Sequence, residues 1–218
     1  MLRMRGMAIL ALINLMTLAA AQPVPTTGDR QHHFRWSERA AHELSYKHTI
    51  RSAPELTPAE RKMLFDAVFE RLNQRQIMND PMFDDTAGQQ LRKLASDTRI
   101  EFIEQGGPGS REVLAQGNGL GACGGTGNCI FWIFQLRPDG AKLLLEAQGF
   151  EKVLIRSWST NGHRDIVLSS HESAMERYHV WYKYSDGSYR KAACYMWVTS
   201  YGPDVLPTPE VTQVKCGN

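Results

Sequence analysis

The chain has 218 residues, 42% hydrophobic and 22% charged, with 25 Lys and Arg against 23 Asp and Glu. Charges so nearly balanced give no field to draw in nucleic acid or an anionic membrane. No long apolar run follows the first 21 residues, so the mature chain is expected to lack an integral membrane segment and to be soluble.

Arg3 and Arg5 precede an apolar run from Met7 to Leu18 and the small residues Ala19, Ala20 and Ala21. This is the three-part layout of a secretory signal peptide over residues 1–21, with cleavage expected after Ala21. The run, interrupted by Asn14, is short against the roughly 20 residues that span a bilayer. Taking Arg3 and Arg5 from the 25 basic residues leaves 23, equal to the 23 acidic ones. The protein is therefore expected in the periplasm or the extracellular medium.

Residues 22–36 hold Pro, Thr and His without periodicity and read as a flexible lead. Residues 37–98 read as helical. Ser37 is a good N-cap for a short helix reaching about His48. Thr57-Pro58-Ala59-Glu60 is a capping box with Pro in the first turn, followed by Leu64, Phe65, Val68, Phe69 and Leu72 at helical spacing. Leu91, Leu94 and Ala95 predict a further helix over about 86–96.

From Arg99 the composition turns to short β-branched and aromatic runs punctuated by Gly, Pro and Asp. Strands are predicted at about 99–104, 112–116, 130–136, 142–147, 152–157, 165–170, 178–184 and 189–197, within a β domain over 99–201. The turns Arg137-Pro-Asp-Gly140 and Ser185-Asp-Gly-Ser188 should close antiparallel hairpins. Tyr178, Val180, Tyr182 and Tyr184 alternate with His179, Trp181 and Lys183, which places the two sets on opposite faces. Phe131, Trp132, Ile133 and Phe134 are consecutive, so that strand should be buried on both sides. Residues 202–218 read as a Pro-containing C-terminal tail.

An even cysteine count in an exported protein favours disulfides. Cys123, Cys129, Cys194 and Cys216 allow three pairings. The preferred one is Cys123–Cys129, closing a small glycine-rich loop, with Cys194–Cys216 tying the tail to the last strand. A four-thiolate zinc site fits less well, because the spacing is C-x5-C rather than C-x2-C.

Gly109-Ser-Arg111-Glu112-Val113 is echoed by Gly162-His-Arg164-Asp165-Ile166, each followed by a Trp and an Asp-Gly turn. The spacing suggests two propeller-blade-like units, too few to close a propeller. The stretch from Phe102 to Leu114, with Glu104 and Glu112, resembles the FG-GAP/VCBS-type repeat, and the stretch from Ser157 to Val167 resembles it more weakly. The β region as a whole is similar to a group of uncharacterised secreted bacterial proteins. In the FG-GAP family the loop can bind calcium; here Gly106 and Pro108 stand where ligands should be, so no metal and no cofactor is expected.

Asp165, Ser169 and His171 are the one grouping that suggests a hydrolase, although no G-x-S-x-G elbow accompanies them. His163, His171 and His179 are a weaker metal-ligating candidate. Asn128 on the disulfide-pinned loop and Trp158, Trp181 and Tyr195 in the second unit are the candidate binding residues, since aromatics and scaffolded loops favour interfaces. The expected fold is α+β, with N-terminal helices packed on a duplicated antiparallel β-sheet domain. The expected function is a non-enzymatic binding or envelope-associated protein, whose partner is a protein or glycan of the envelope or extracellular space. The alternative is a secreted hydrolase with a site near Asp165, Ser169 and His171.

Overall fold

Thr57 accepts a hydrogen bond from the backbone N–H of Glu60, and the Glu60 carboxylate accepts one from the backbone N–H of Thr57 in return. This reciprocal cap starts α1 (Pro58–Gln74), which is followed by α2 (Ala87–Asp97). The computed structural model describes residues 41–43, 46–75, 87–103, 111–119, 121–199 and 209–217, all within one compact unit that begins at Trp36. The expected signal peptide and flexible lead lie outside the described residues. No helix among the described residues is long and apolar enough to cross a membrane.

Eleven described strands follow in chain order: β1 (Ala41–Glu43), β2 (His48–Thr49), β3 (Arg99–Ile103), β4 (Arg111–Gln116), β5 (Cys129–Arg137), β6 (Gly140–Phe150), β7 (Lys152–Thr160), β8 (His163–His171), β9 (Glu176–Ser185), β10 (Ser188–Thr199) and β11 (Pro209–Val214). They form two open antiparallel sheets and no closed barrel. One runs β1-β7-β8-β9-β10-β11 and the other β2-β3-β4-β5-β6. Each predicted strand from Arg99 to Trp197 has its counterpart, within a few residues at the ends.

The helix expected between Ser37 and His48 is corrected: Ala41–Glu43 pairs with Leu154–Arg156 of β7, and His48–Thr49 pairs with β3. Ser37 itself lies outside the described residues. Helix-tolerant residues become strand here because sheet edges offer hydrogen bonds that a short, marginal helix does not outweigh. The C-terminal tail is likewise part strand, since β11 pairs with β10 from Cys194↔Val214 to Thr199↔Pro209.

Side-chain alternation then builds two cores. Leu114, Phe131, Ile133, Ile166, Leu168, Val180, Tyr182 and Tyr189 meet between the sheets. Val113, Ala115, Trp132 and Phe134, on the other side of β4 and β5, share a cluster with Leu64, Val68, Leu72, Leu91 and Ala95 of the helices. The strand from Phe131 to Phe134 is therefore buried on both faces. In β9, Tyr178, Val180, Tyr182 and Tyr184 belong to the inter-sheet side, and His179, Trp181 and Lys183 alternate onto the opposite face.

Glu112 and Asp165 each lie near the start of a strand, but the sheets give these acids different surroundings. Glu112 shares its side of β4 with Leu114 of the inter-sheet core, whereas Asp165 alternates with core residue Ile166 and meets Trp181 on the far side of its sheet. A one-residue offset in a strand exchanges faces. The Gly-x-Arg-acid match is therefore not a match of environment.

The disulfides are Cys123–Cys129 and Cys194–Cys216. The second links β10 to the residue two beyond β11, across a sequence separation of 22. Chain-entropy reasoning gives such a loop about 3 kcal/mol of stabilisation. Replacing Cys194 and Cys216 by Ser together is expected to cost about that much in urea denaturation. An unchanged midpoint would show that β11 pairs with β10 equally well without the link.

Candidate functional site

The site grows from an irregularity in β7. The register with β8 shifts between Ile155 and Ser159, and a bulge of this kind bends the strand and re-aims its side chains. Arg156 and Trp158 lie in the shifted stretch, and both turn toward Asp165 of β8. Trp158 Nε1 donates to Asp165 Oδ2 at 3.1 Å, and Trp181 Nε1, from β9, donates to the same oxygen at 3.0 Å. Asp165 is fully buried, and its second oxygen, Oδ1, has no hydrogen-bond partner among the described residues.

Two cations complete the arrangement. The Arg156 guanidinium lies 4.0 Å from the ring centroid of Trp158, and Lys183 Nζ lies 4.6 Å from that of Trp181. The two indoles meet edge to face at 6.2 Å, a favoured aromatic geometry. Trp158 remains 40% exposed. One buried carboxylate thus orients two indoles, one of which presents its surface to solvent.

Two further groups flank this centre. On the same face of the sheet, Ser169 Oγ and His179 Nδ1 share a hydrogen bond of 2.7 Å, with Trp197 beside the imidazole at 5.7 Å. Burial, with a smaller contribution from Arg177, pulls His179 down to about 4, so Nδ1 is part of a neutral ring at pH 7. Elsewhere His163 Nδ1 lies 3.0 Å from the buried Glu112 carboxylate, bridging the two sheets. The His163 ring stacks on Tyr184 at 3.5 Å and meets Tyr189 edge-on. Burial, and then the Lys142 charge, lower His163 from its ordinary value. Burial and the Glu112 and Asp165 charges raise the Tyr189 hydroxyl, which donates to the Arg164 carbonyl.

Of the four candidate binding residues, Trp158 and Trp181 meet on Asp165. Tyr195 stands opposite His179 in the β9–β10 register; burial raises its hydroxyl, and the Arg156 charge acts against that rise. Asn128 is elsewhere, at the far end of β8. Its side chain donates to the His171 carbonyl at 3.2 Å and accepts from the His171 backbone N–H at 3.4 Å, clamping the disulfide loop to the sheet.

Asp165, Ser169 and His171 each have a different partner. Asp165 holds the indoles, Ser169 bonds to His179, and His171 Nδ1 lies 3.9 Å from Glu151. The histidine beside Ser169 is the one across the sheet, not the one two residues along the strand. Asn161 adopts φ 53° beside Gly162 at φ 81°, the pattern of a tight hairpin turn. Its side chain donates to the Tyr184 carbonyl. No cluster of three or more His, Cys, Asp or Glu able to hold a metal occurs among the described residues.

Arg156 was not legible as a site residue, because the bulge that aims it leaves no local signal; alternation puts Lys183 on the face of Trp181, but only the tertiary register sets Arg190 opposite it. Compared with family models, with curated proteins and with solved structures, the chain finds no match.

Asp165→Ala is expected to strip two indole donors of their acceptor and to cost about 2 kcal/mol, with Asp165→Asn costing less because an amide oxygen still accepts. Thermal melts and a red shift of the tryptophan emission check this. Equal stability of the Ala and Asn variants would remove the acceptor role.

Proposed function

We propose that the protein is an exported, non-enzymatic binding module that uses the Trp158 face of the six-stranded sheet to hold a protein or glycan of the envelope or extracellular space. One observation carries this reading. Trp158 is exposed, yet its orientation is set by a hydrogen bond to buried Asp165 and by the Arg156 guanidinium on its ring. Exposed aromatics held in one geometry lose little entropy on binding, which is the property of a contact anchor. Two disulfides accord with an oxidising compartment.

The test is retention of the full oxidised chain on sedimented envelope material of its source. Trp158→Ala is expected to reduce retention at least fivefold when parent and variant are compared well below the variant's melting temperature, which falls because buried Asp165 loses one of its two indole donors. Equal retention of the variant, or no retention of the parent chain, would remove this reading.

A further inference from the structure

The face that carries Trp158 also carries an unbalanced row of charge. Lys183 of β9 is directly opposite Arg190 of β10, so two like charges lie on one face with β-carbons about 5 Å apart. No ion pair involves Lys183 or Arg190 among the described residues. Like charges directly opposite are destabilising in a sheet, and their neighbours add to the excess. Continuing the β8–β9 register by one residue places Asp165 of β8 beside Lys183, and Arg156, in the bulged stretch of β7, lies over Trp158, the indole that donates to Asp165. The row is Asp165, Lys183 and Arg190, with Arg156 beside it on Trp158: three cations and one acid, whose Oδ2 accepts from two indoles.

We infer that this row and the adjoining indole recognise an acidic polysaccharide, a chain of uronate-type sugars. The inference rests on the binding reading above and names its ligand class. Trp158 supplies an exposed apolar ring of the kind on which a sugar face packs, while Lys183 and Arg190 supply donors for its carboxylates. A neutral sugar would leave the cation pair unrelieved. A polyanion without sugar rings would leave Trp158 unused. Both features are met together by alternating apolar ring faces and carboxylates along one chain.

Titration calorimetry of the full oxidised chain at low salt tests this with three probes: hexagalacturonate, maltohexaose and hexaglutamate. The uronate is expected to bind at least tenfold more tightly than either of the others. Lys183→Gln with Arg190→Gln, and separately Trp158→Ala, should each weaken it at least tenfold, with every variant titrated well below its own melting transition. Raising the salt from 20 to about 200 mM should weaken it further, as for any screened charge contact. Hexaglutamate binding as tightly as the uronate would overturn the inference in favour of charge alone. Maltohexaose binding as tightly, and lost in Trp158→Ala, would overturn the role of charge and leave the aromatic surface standing. No saccharide binding would overturn the inference, while envelope retention still decides the binding reading separately.

Discussion

Replacing Trp132 by alanine is expected to destabilise the protein by about 3–5 kcal/mol, the range for emptying a buried aromatic site. Trp132 has no exposed surface. It sits opposite Ala115 of β4 and Glu146 of β6, in the cluster that joins Leu64, Val68 and Leu72 to the five-stranded sheet. The small Ala115 makes room for the indole on one side, and the helix residues close over it. Truncation therefore leaves a cavity that two sheet neighbours and a helix cannot all move to fill. Trp132→Phe should cost much less, about 1–2 kcal/mol, because the indole Nε1 has no hydrogen-bond partner among the described residues and the change forfeits volume alone. Urea denaturation checks both variants. A cost near 1 kcal/mol for the alanine variant would show that the helices collapse freely onto the sheet.

The second large effect is loss of stability in acid. His179 is 2% exposed and hydrogen-bonded to Ser169, and burial lowers it from 6.5 to about 4. In the unfolded chain the imidazole takes up a proton below about 6.5, but in the folded protein only below about 4. Between those values the unfolded state binds more protons, so stability falls as pH falls. It is fully present above about pH 6.5, and the loss reaches on the order of 3 kcal/mol at about pH 4. His163, also lowered by burial, acts in the same direction. Denaturation at pH 7 and at pH 4.5 measures the drop. Ser169→Ala combined with His179→Phe, which removes the buried pair as a unit, should flatten most of it. A double variant with the parent's pH slope would assign the acid sensitivity to other groups.

Much of the local structure followed from short-range chemistry. Thr57 and Glu60 cap α1 because their spacing lets each reach the other's backbone. Asp186 and Gly187 turn the last hairpin because both adopt positive φ, at 50° and 79°, which Gly takes freely and Asp tolerates. The alternation in β9 separates Tyr182 from Trp181 whatever strands pair with it. Of the three pairings the cysteines allow, the preferred one is present.

What the sequence by itself determined is thus the set of elements whose causes lie within a few residues: caps, turns, strand periodicity and the faces they create. Tertiary structure alone decided how eleven described strands divide into two sheets, and that Ala41–Glu43 and Pro209–Val214 become strand by pairing with β7 and β10. It also decided that Ser169 meets His179 and not His171. The near-neutral composition concealed the cationic row for the same reason. Lys183 and Arg190 are seven residues apart with Asp186 between them, and only the hairpin register sets them side by side while leaving that acid at the turn. Register and bulges depend on which surfaces are buried together, and burial is a property of the whole chain rather than of any window along it.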